Sequence, residues 1–128
     1  MCTVIEKGTK RQKATEDIIV YKACDSSKIT DAVKSPILGF LYKKDITYVA
    51  RMKEGGNNCS DSIEIEYSFI LDNPVYIETG FHSYRERNRL NIWDACFQCE
   101  FIIPKGALYY ENGVGNIVSN KIIFKKIL

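Results

Sequence analysis

Turn-forming residues interrupt this sequence so often that its apolar runs do not exceed five residues. β-Branched and aromatic residues instead cluster in segments of four to eight residues between Gly, Asn, Asp or Pro, a pattern typical of short strands joined by turns. A membrane-spanning helix needs about 20 consecutive apolar residues. The pattern therefore predicts a β-rich protein and excludes a helical membrane span.

The clearest strand signal lies at residues 62–69, where apolar residues alternate with Glu64, Glu66 and Ser68, as in a half-buried strand. Other strands are predicted at residues 17–23, 38–42, 46–51, 75–78 and 97–103, with one or two more within 117–128. The short segment 43–45 predicts a hairpin between the second and third of these.

Helix is predicted in only two places, at residues 27–34, where Ser26 or Ser27 could cap it, and at about 85–95. Residues 53–61 are rich in Gly and Asn and predict a solvent loop or a disordered excursion. The fold class predicted is α+β: one β-rich domain over residues 1–128, mostly antiparallel, with six to eight strands and one or two short helices. Residues 1–15 are expected to form a hairpin or a mobile arm.

The chain has 128 residues, of which 45% are hydrophobic, enough for one compact domain with its own core. Its five cysteines are an odd number, and the N-terminus lacks the basic-then-apolar layout of a signal peptide. Both features favour reduced thiols and a cytoplasmic location. Cys96 and Cys99 have the spacing of half a zinc site, but only one histidine, His82, is available as a further imidazole ligand. We therefore expect no metal or cofactor, and Cys99 is predicted to fill space in the core.

Several separate segments of the chain resemble one protein family. They read YKA at residues 21–23, GFLYKKDITY at 39–48, TGFHSY at 79–84, IIPKGALYY at 102–110 and NIVSNK at 116–121. Together they resemble small proteins of bacteriophages and mobile elements, in which a Gly-Phe hairpin precedes a Gly-Phe-His turn and a Pro-Lys-Gly segment with paired tyrosines. The resemblance covers about half the chain and implies a phage or mobile-element origin. By analogy, it implies an accessory protein that blocks a bacterial host-defence component.

The densest polar cluster follows the Gly-Phe-His turn and contains three arginines. Its candidate ligand-binding residues are His82, Tyr84, Arg85, Arg87 and Arg89. In an extended segment the arginines would share one side and could bind phosphate or carboxylate; in a helix they would form a solvated basic surface. His82 is either the acid–base candidate of an enzyme or a hydrogen-bonded structural residue.

A second cluster lies at residues 104–110, where Gly106 permits an unusual backbone angle and could expose amide groups. Lys105 could meet an anion there, and Tyr109 or Tyr110 could stack on a base or enter a protein interface. From residue 101 onward, four lysines oppose the single Glu111, which favours an acidic partner. The net charge of the whole chain is only +2, so duplex nucleic acid is not the expected ligand.

The predicted function is to neutralise a host-defence component, either by covering a protein surface or by sequestering an anionic nucleotide, with a homo-oligomer as one way to build the pocket. The first version requires a flat aromatic patch and the second a concave basic pocket. The alternative is an ADP-ribosyltransferase-like or other nucleotide-handling enzyme that uses His82, although Glu64 and Glu66 precede the His-Ser element here, opposite to the usual order. The expectation common to both binding versions is that the positive side chains between residues 82 and 110 converge on one surface.

Overall fold

The computed structural model describes residues 3–5, 9–35, 40–50, 52, 54–56, 75–77, 80–87 and 96–128. These residues form thirteen strands, more than the six to eight expected, and contain no α-helix. The strands are β1 (Thr3–Ile5), β2 (Gln12–Lys13), β3 (Ile18–Ser26), β4 (Ala32–Lys34), β5 (Leu41–Lys43), β6 (Thr47–Val49), β7 (Glu54–Gly56), β8 (Val75–Ile77), β9 (Phe81–Tyr84), β10 (Cys96–Ile103), β11 (Leu108–Glu111), β12 (Asn116–Ser119) and β13 (Lys121–Ile127). The β-rich, antiparallel part of the prediction is confirmed. The strand predicted at residues 62–69 lies outside the described residues.

Two sheets contain these strands. Eight strands of the larger sheet follow the order β2-β11-β12-β9-β3-β10-β13-β6, and β4 and β5 extend it beside β3. The smaller sheet has the order β1-β8-β7. All the paired strands are antiparallel, and β10 is central because it pairs with β3 from Cys96 to Ile103 and with β13 on its other side.

The core lies on one face of β3, β10 and β13. Phe101 is fully buried, and its ring lies 5.0 Å from that of Tyr42 and 5.4 Å from that of Phe124. Tyr42 reaches this position from β5, and its ring also lies 6.1 Å from that of Phe81 on β9. Aromatic side chains from four strands thus pack together over the middle of the larger sheet.

The helix predicted at residues 27–34 is wrong. Ser27 Oγ accepts a hydrogen bond from the Ile29 amide at 3.2 Å, which forms a local turn rather than a helix cap. Asp31 has a φ of 56°, a left-handed conformation that ends any right-handed helix. Ala32 and Val33 are then buried in β4, which pairs with β5. Only residues 85–87 of the second predicted helix are described, and they are not α-helical.

The predicted hairpin between the strands around residues 43–45 is also wrong. β5 pairs with β4, whereas β6 pairs with β13. The amide of Asp45 donates to the Phe124 carbonyl at 3.0 Å, so the turn is attached to β13 and does not close on itself. The Lys43 amide donates to the Tyr48 hydroxyl at 2.7 Å, in place of a backbone pair.

Two segments expected to be loose are paired where they are described. Residues 54–56 form β7 and pair with β8, which corrects the solvent-loop prediction there; the rest of 53–61 lies outside the described residues. Near the N-terminus, β2 pairs with β11. Ala14 is 3% exposed, and its amide donates to the Ala107 carbonyl at 2.8 Å. This part of the expected mobile arm is therefore bound to the larger sheet.

Candidate functional site

His82 lies in β9 with its Nε2 atom inaccessible to solvent. Burial lowers the pKa of His82 to about 3, and the positive charge of Lys22 acts in the same direction. The imidazole is therefore neutral at pH 7. An efficient general acid or base has a pKa near the working pH, so the structure gives His82 the properties of a structural residue. The carboxylates Glu64 and Glu66 lie outside the described residues.

Arg85 follows β9 and turns toward β11. Its Nε and Nη2 atoms donate to the two carboxylate oxygens of Glu111 at 2.7 and 2.8 Å. The hydrogen bonds to Glu111 raise the pKa of Arg85 above its ordinary value. This bidentate ion pair uses one of the two donor edges of the guanidinium, so the charge of Arg85 is already balanced by Glu111 within the protein.

Arg87 is exposed and points to a different strand. Its Nε and Nη2 atoms donate to Gln98 Oε1 on β10 at 3.2 and 3.0 Å. The strand ends at Tyr84, so the extended arrangement that would align the three arginines is absent at residues 85–87. Arg89 lies outside the described residues.

The turn at Lys105 and Gly106 does not present free amides. Gly106 has the expected unusual backbone, with a φ of 89°. Its amide, however, donates to the Ala14 carbonyl at 2.8 Å, and the Lys105 amide donates to Asp17 Oδ1 at 2.8 Å. The predicted exposure of amide groups at this turn is wrong, because the Ala14 carbonyl and Asp17 accept their hydrogen bonds, while the Lys105 residue itself is exposed.

The two tyrosines of β11 point to opposite faces, as consecutive strand residues do. Tyr109 is 8% exposed in the main core, and its hydroxyl donates to Gln12 Oε1 at 3.1 Å. Tyr110 packs with Val118 and Met52 on the other face. The two rings therefore cannot stack together on one ligand.

The described residues predicted to bind a ligand are therefore divided: His82, Tyr84 and Tyr110 share one sheet face, whereas Tyr109 faces the core and the positive side chains do not converge. Arg87 contacts Gln98 near the start of β10, whereas Lys105 follows its end, and the five residue steps from Gln98 to Ile103 correspond to about 17 Å along the strand. Arg85 is directed to β11 instead. These positive side chains are therefore directed to different strands or lie at opposite ends of β10. Their spacing in the sequence does not show this.

Sequence reasoning missed a polar cluster on the inner face of β3 and β10. Lys22 is directly opposite Cys99 in the register, and Cys24 lies two residues along the same strand. The Lys22 ammonium donates to the carbonyl oxygen of His82 and lies 5.9 Å from the centre of the Tyr42 ring. β3 and β9 pair only at Tyr21 and Tyr84, so the lysine satisfies a carbonyl where the ladder has ended.

Burial sets the acid–base properties of this inner cluster. Desolvation lowers the pKa of Lys22, and the neighbouring thiols partly offset the effect. A hydrogen bond with Cys99 lowers the pKa of the Cys24 thiol, and the charge of Lys22 contributes to the shift. The i, i+2 spacing of Lys22 and Cys24 was the only signal available in the sequence, because their shared face needs the register with Cys99 to be recognised.

The outer face of the same strands carries two parallel rows of side chains. The first row crosses β9, β3, β10 and β13 and consists of Tyr84, Tyr21, Glu100 and Lys126. The second crosses β3, β10, β13 and β6 and consists of Ile19, Ile102, Ile123 and Thr47. Ile19 is 51% exposed, although it lies in the middle of the sheet. We call these eight residues the outer patch.

The described residues contain no cluster of three or more His, Cys, Asp or Glu side chains able to hold a metal ion. They also contain no helix long and apolar enough to cross a membrane. No family model, no curated protein and no solved structure matches this chain, so its function is argued from the geometry above.

Proposed function

We propose that this protein is a phage-type accessory protein that neutralises a bacterial host-defence component by covering a protein surface with the outer patch. The observation that carries the proposal is the pair of rows on one sheet face, an apolar row headed by the 51% exposed Ile19 beside a row that contains Tyr21 and Tyr84. Tyrosine and apolar side chains on one sheet face are suited to burying area against another protein at low entropic cost.

The charges around the outer patch favour an acidic partner. Within the patch, the exposed Lys126 lies opposite Glu100, so these two charges balance, and the exposed Arg87 borders the patch through Gln98. Lys121 shares its sheet face with the 68% exposed Val49, beside the apolar row. Charges at the rim of an interface steer association and select the partner more than they add affinity. An acidic protein surface with an apolar centre is thus the chemistry that this face complements.

The alternative of nucleotide sequestration has less support from the geometry. Arg85 is paired with Glu111, Tyr109 is buried, and Lys105 lies at the far end of β10 from Arg87. A pocket for a nucleotide would need these groups to converge.

The test is phage plating on bacteria that express the chain together with one of a panel of defence systems. We expect the chain to restore plating against at least one system, Ile19→Asp to abolish that restoration, and Val114→Asp to retain it. Val114 is a matched control because it is 43% exposed in the turn between β11 and β12 and is not a residue of the outer patch. Circular dichroism and melting temperature must show that both variants fold.

Two results would contradict the proposal: restoration that survives Ile19→Asp, or no restoration with any system. Thermal melting against cyclic and linear nucleotides separates the alternative, because a nucleotide at 100 times its dissociation constant adds about 2.7 kcal/mol of stability. A shift of that size would favour sequestration over protein occlusion.

A further inference from the structure

The two outermost strands in the eight-strand order of the larger sheet are β2 and β6. Edge strands present unpaired backbone groups, and proteins protect them with lysines or prolines. β2 consists of Gln12 and Lys13, so a lysine protects that end of the sheet. β6 consists of Thr47, Tyr48 and Val49, without a charge or a proline. Among the described residues, no strand pairs with the side of β6 turned away from β13, which we call the β6 edge.

The hydrogen-bond pattern identifies the backbone groups that face the β6 edge. In an antiparallel pair, every second residue directs its N–H and C=O groups to the same neighbouring strand. The Ala50 amide donates to the Asn120 carbonyl at 2.8 Å, in the continuous register of β6 with β13. Tyr48 and Ala50 therefore face β13, whereas Thr47 and Val49 direct their amides and carbonyls to the β6 edge. Both of these residues are exposed, Val49 to 68%.

The two faces of the sheet differ in chemistry along the β6 edge. Val49 is the register partner of Lys121, so an ammonium group lies beside the edge on the outer face. Tyr48 projects to the inner face, where the ring of Phe40 lies 5.4 Å from its ring. Phe40 is 44% exposed. A strand added at this edge would thus meet an aromatic surface on its inner face and a positive charge on its outer face.

The charges near the β6 edge favour an acidic strand over a second copy of this chain. Lys44 is exposed before the turn that leads into β6. Asp45, the acidic residue of that turn, is already paired with Lys125, whose Nζ atom lies 2.7 Å from its Oδ1 atom. A second copy would present the same uncharged strand and a second Lys121, and the positive charge would stay unbalanced. Carboxylates on the incoming strand balance it.

We propose that the β6 edge binds an extended acidic segment of a partner protein by antiparallel strand addition. The partner residues opposite Thr47 and Val49 exchange backbone hydrogen bonds with them and carry carboxylates on the outer face. The partner residue opposite Tyr48 is apolar and covers Phe40. In this mode of recognition the main chain supplies affinity, and alternate side chains supply specificity.

The spacing of the strands is compatible with the charge pairing. An added strand lies two strand spacings, about 10 Å, from the backbone of Lys121, and extended lysine and glutamate side chains together span that gap. The proposal goes beyond the proposed function, because the outer patch acts through side chains on a sheet face, whereas the β6 edge acts through its backbone. It requires no host-defence component.

The probe is a fluorescein-labelled peptide of about seven residues in which valine and glutamate alternate. Fluorescence anisotropy with the full chain should show saturable binding of one peptide per chain at peptide concentrations up to about 1 mM. A matched peptide with lysine in place of glutamate should bind at least about tenfold more weakly, and added salt should reduce this difference.

N-methylated peptides test the backbone pairing without changing the protein. In the proposed register the glutamate amides face β6 and the valine amides face away from it. Methylation of the glutamate amides should weaken binding at least about tenfold, because hydrogen bonds are lost. Methylation of the valine amides should weaken it less than about threefold.

Val49→Pro tests the same hydrogen bonds from the side of the protein. The Val49 amide does not pair with β13, and proline is tolerated where the N–H of an edge strand faces solvent. We expect affinity for the valine–glutamate peptide to fall at least about tenfold. Val49→Ala, which keeps the amide, should lower affinity less than about threefold. Circular dichroism and melting temperature show whether both variants fold.

Four results would overturn the proposal: no saturable binding, equal weakening by the two methylations, full affinity in folded Val49→Pro, or a dimer of the chain that Val49→Pro dissociates in sedimentation. The last result would assign the edge to a second copy. If Val49→Pro does not fold, the two methylated peptides still decide the matter. Because this assay contains no defence component, a negative plating result does not affect it, and failure to bind the peptide leaves the occlusion proposal intact.

Discussion

The inner and outer faces of β3 differ in a way that reverses ordinary burial. Val20, Lys22 and Cys24 share the inner face, so a lysine points toward the core, whereas Ile19 on the outer face is 51% exposed. Lysine is among the residues least often buried, and isoleucine among the most often buried. Both faces depart from the rule within one strand.

The reversal has a local cause on the inner side. Lys22 is tolerated there because its ammonium donates to the His82 carbonyl and its stem passes beside the Tyr42 ring. On the outer side, the register partner of Ile19 among the described residues is the partly buried Ile102, and none of these residues makes a contact with Ile19 comparable with that of Lys22. The inner face is therefore organised by contacts within the chain, whereas the outer face carries an isoleucine that is half exposed.

The largest loss of stability is expected from a substitution on the inner face. Phe101→Ala removes a fully buried ring that contacts Tyr42 and Phe124, and we expect the free energy of unfolding to fall by about 3–5 kcal/mol. Its neighbour Glu100 points to the outer face, so Glu100→Ala should cost less than about 1 kcal/mol. Urea denaturation of both variants measures the difference. Similar losses for the two would contradict the assignment of the faces.

The next effect concerns His82, which has the same strand parity as the outward Tyr84 but is half-buried, with its Nε2 atom inaccessible to solvent. The pKa of His82 in the folded chain, about 3, lies below the ordinary value of 6.5. Between these two values, the imidazole binds a proton in the unfolded chain but not in the folded chain. The stability that the neutral His82 contributes is fully present above about pH 6.5 and is lost as the pH falls toward 3. Between pH 7.5 and pH 5, His82 should reduce the free energy of unfolding by about 2 kcal/mol.

Urea denaturation at the two pH values, with His82→Gln as the comparison, measures this loss. The test is clean because His82 is the only histidine in the chain. The glutamine variant should lose about 2 kcal/mol less than the wild type over the same interval. An equal loss in both proteins would show that the imidazole is protonated in the folded state.

A smaller effect on stability is expected for the ion pair between Arg85 and Glu111. The Arg85 side chain is 42% exposed and that of Glu111 22% exposed, so solvent screens the attraction. A double-mutant cycle with Arg85→Met and Glu111→Gln should give a coupling energy of about 0.5–1 kcal/mol that decreases in high salt. Coupling that persists unchanged at high salt would indicate a desolvated pair.

The smallest effect on folding is expected on the outer face. Ile19→Ser should change the free energy of unfolding by less than about 0.5 kcal/mol, because half of this side chain is already in water. The same variant should weaken partner binding, in line with the Ile19→Asp plating test. A loss of stability comparable with that of Phe101→Ala would mean that the outer face is internally packed.

Local pattern was sufficient to predict several elements. Alternation around residues 97–103 indicated the strand that became β10, and Cys99 is buried as predicted. Phe97 has the same parity and is nevertheless 45% exposed, because it lies near the end of the strand. Periodicity therefore assigns a side to each residue but not the depth of its burial.

The candidate site was less predictable, because it depends on pairings between distant segments. Arg85 and Glu111 are 26 residues apart, and Lys105 and Asp17 are 88 residues apart. A carboxylate that neutralises an arginine, or that uses the amide of a turn, cannot be identified without knowing which strands meet. The predicted convergence of positive charge failed for this reason.

The amino-acid sequence by itself determined that the chain forms short antiparallel strands, because β-branched and aromatic runs alternate with turn residues that interrupt longer elements. Only the tertiary structure decided that β5 and β6 take different partners and that Lys22 points inward while Ile19 points outward. The physical reason is that local sequence sets the conformation of the backbone, whereas burial is a property of what the rest of the chain places against each face.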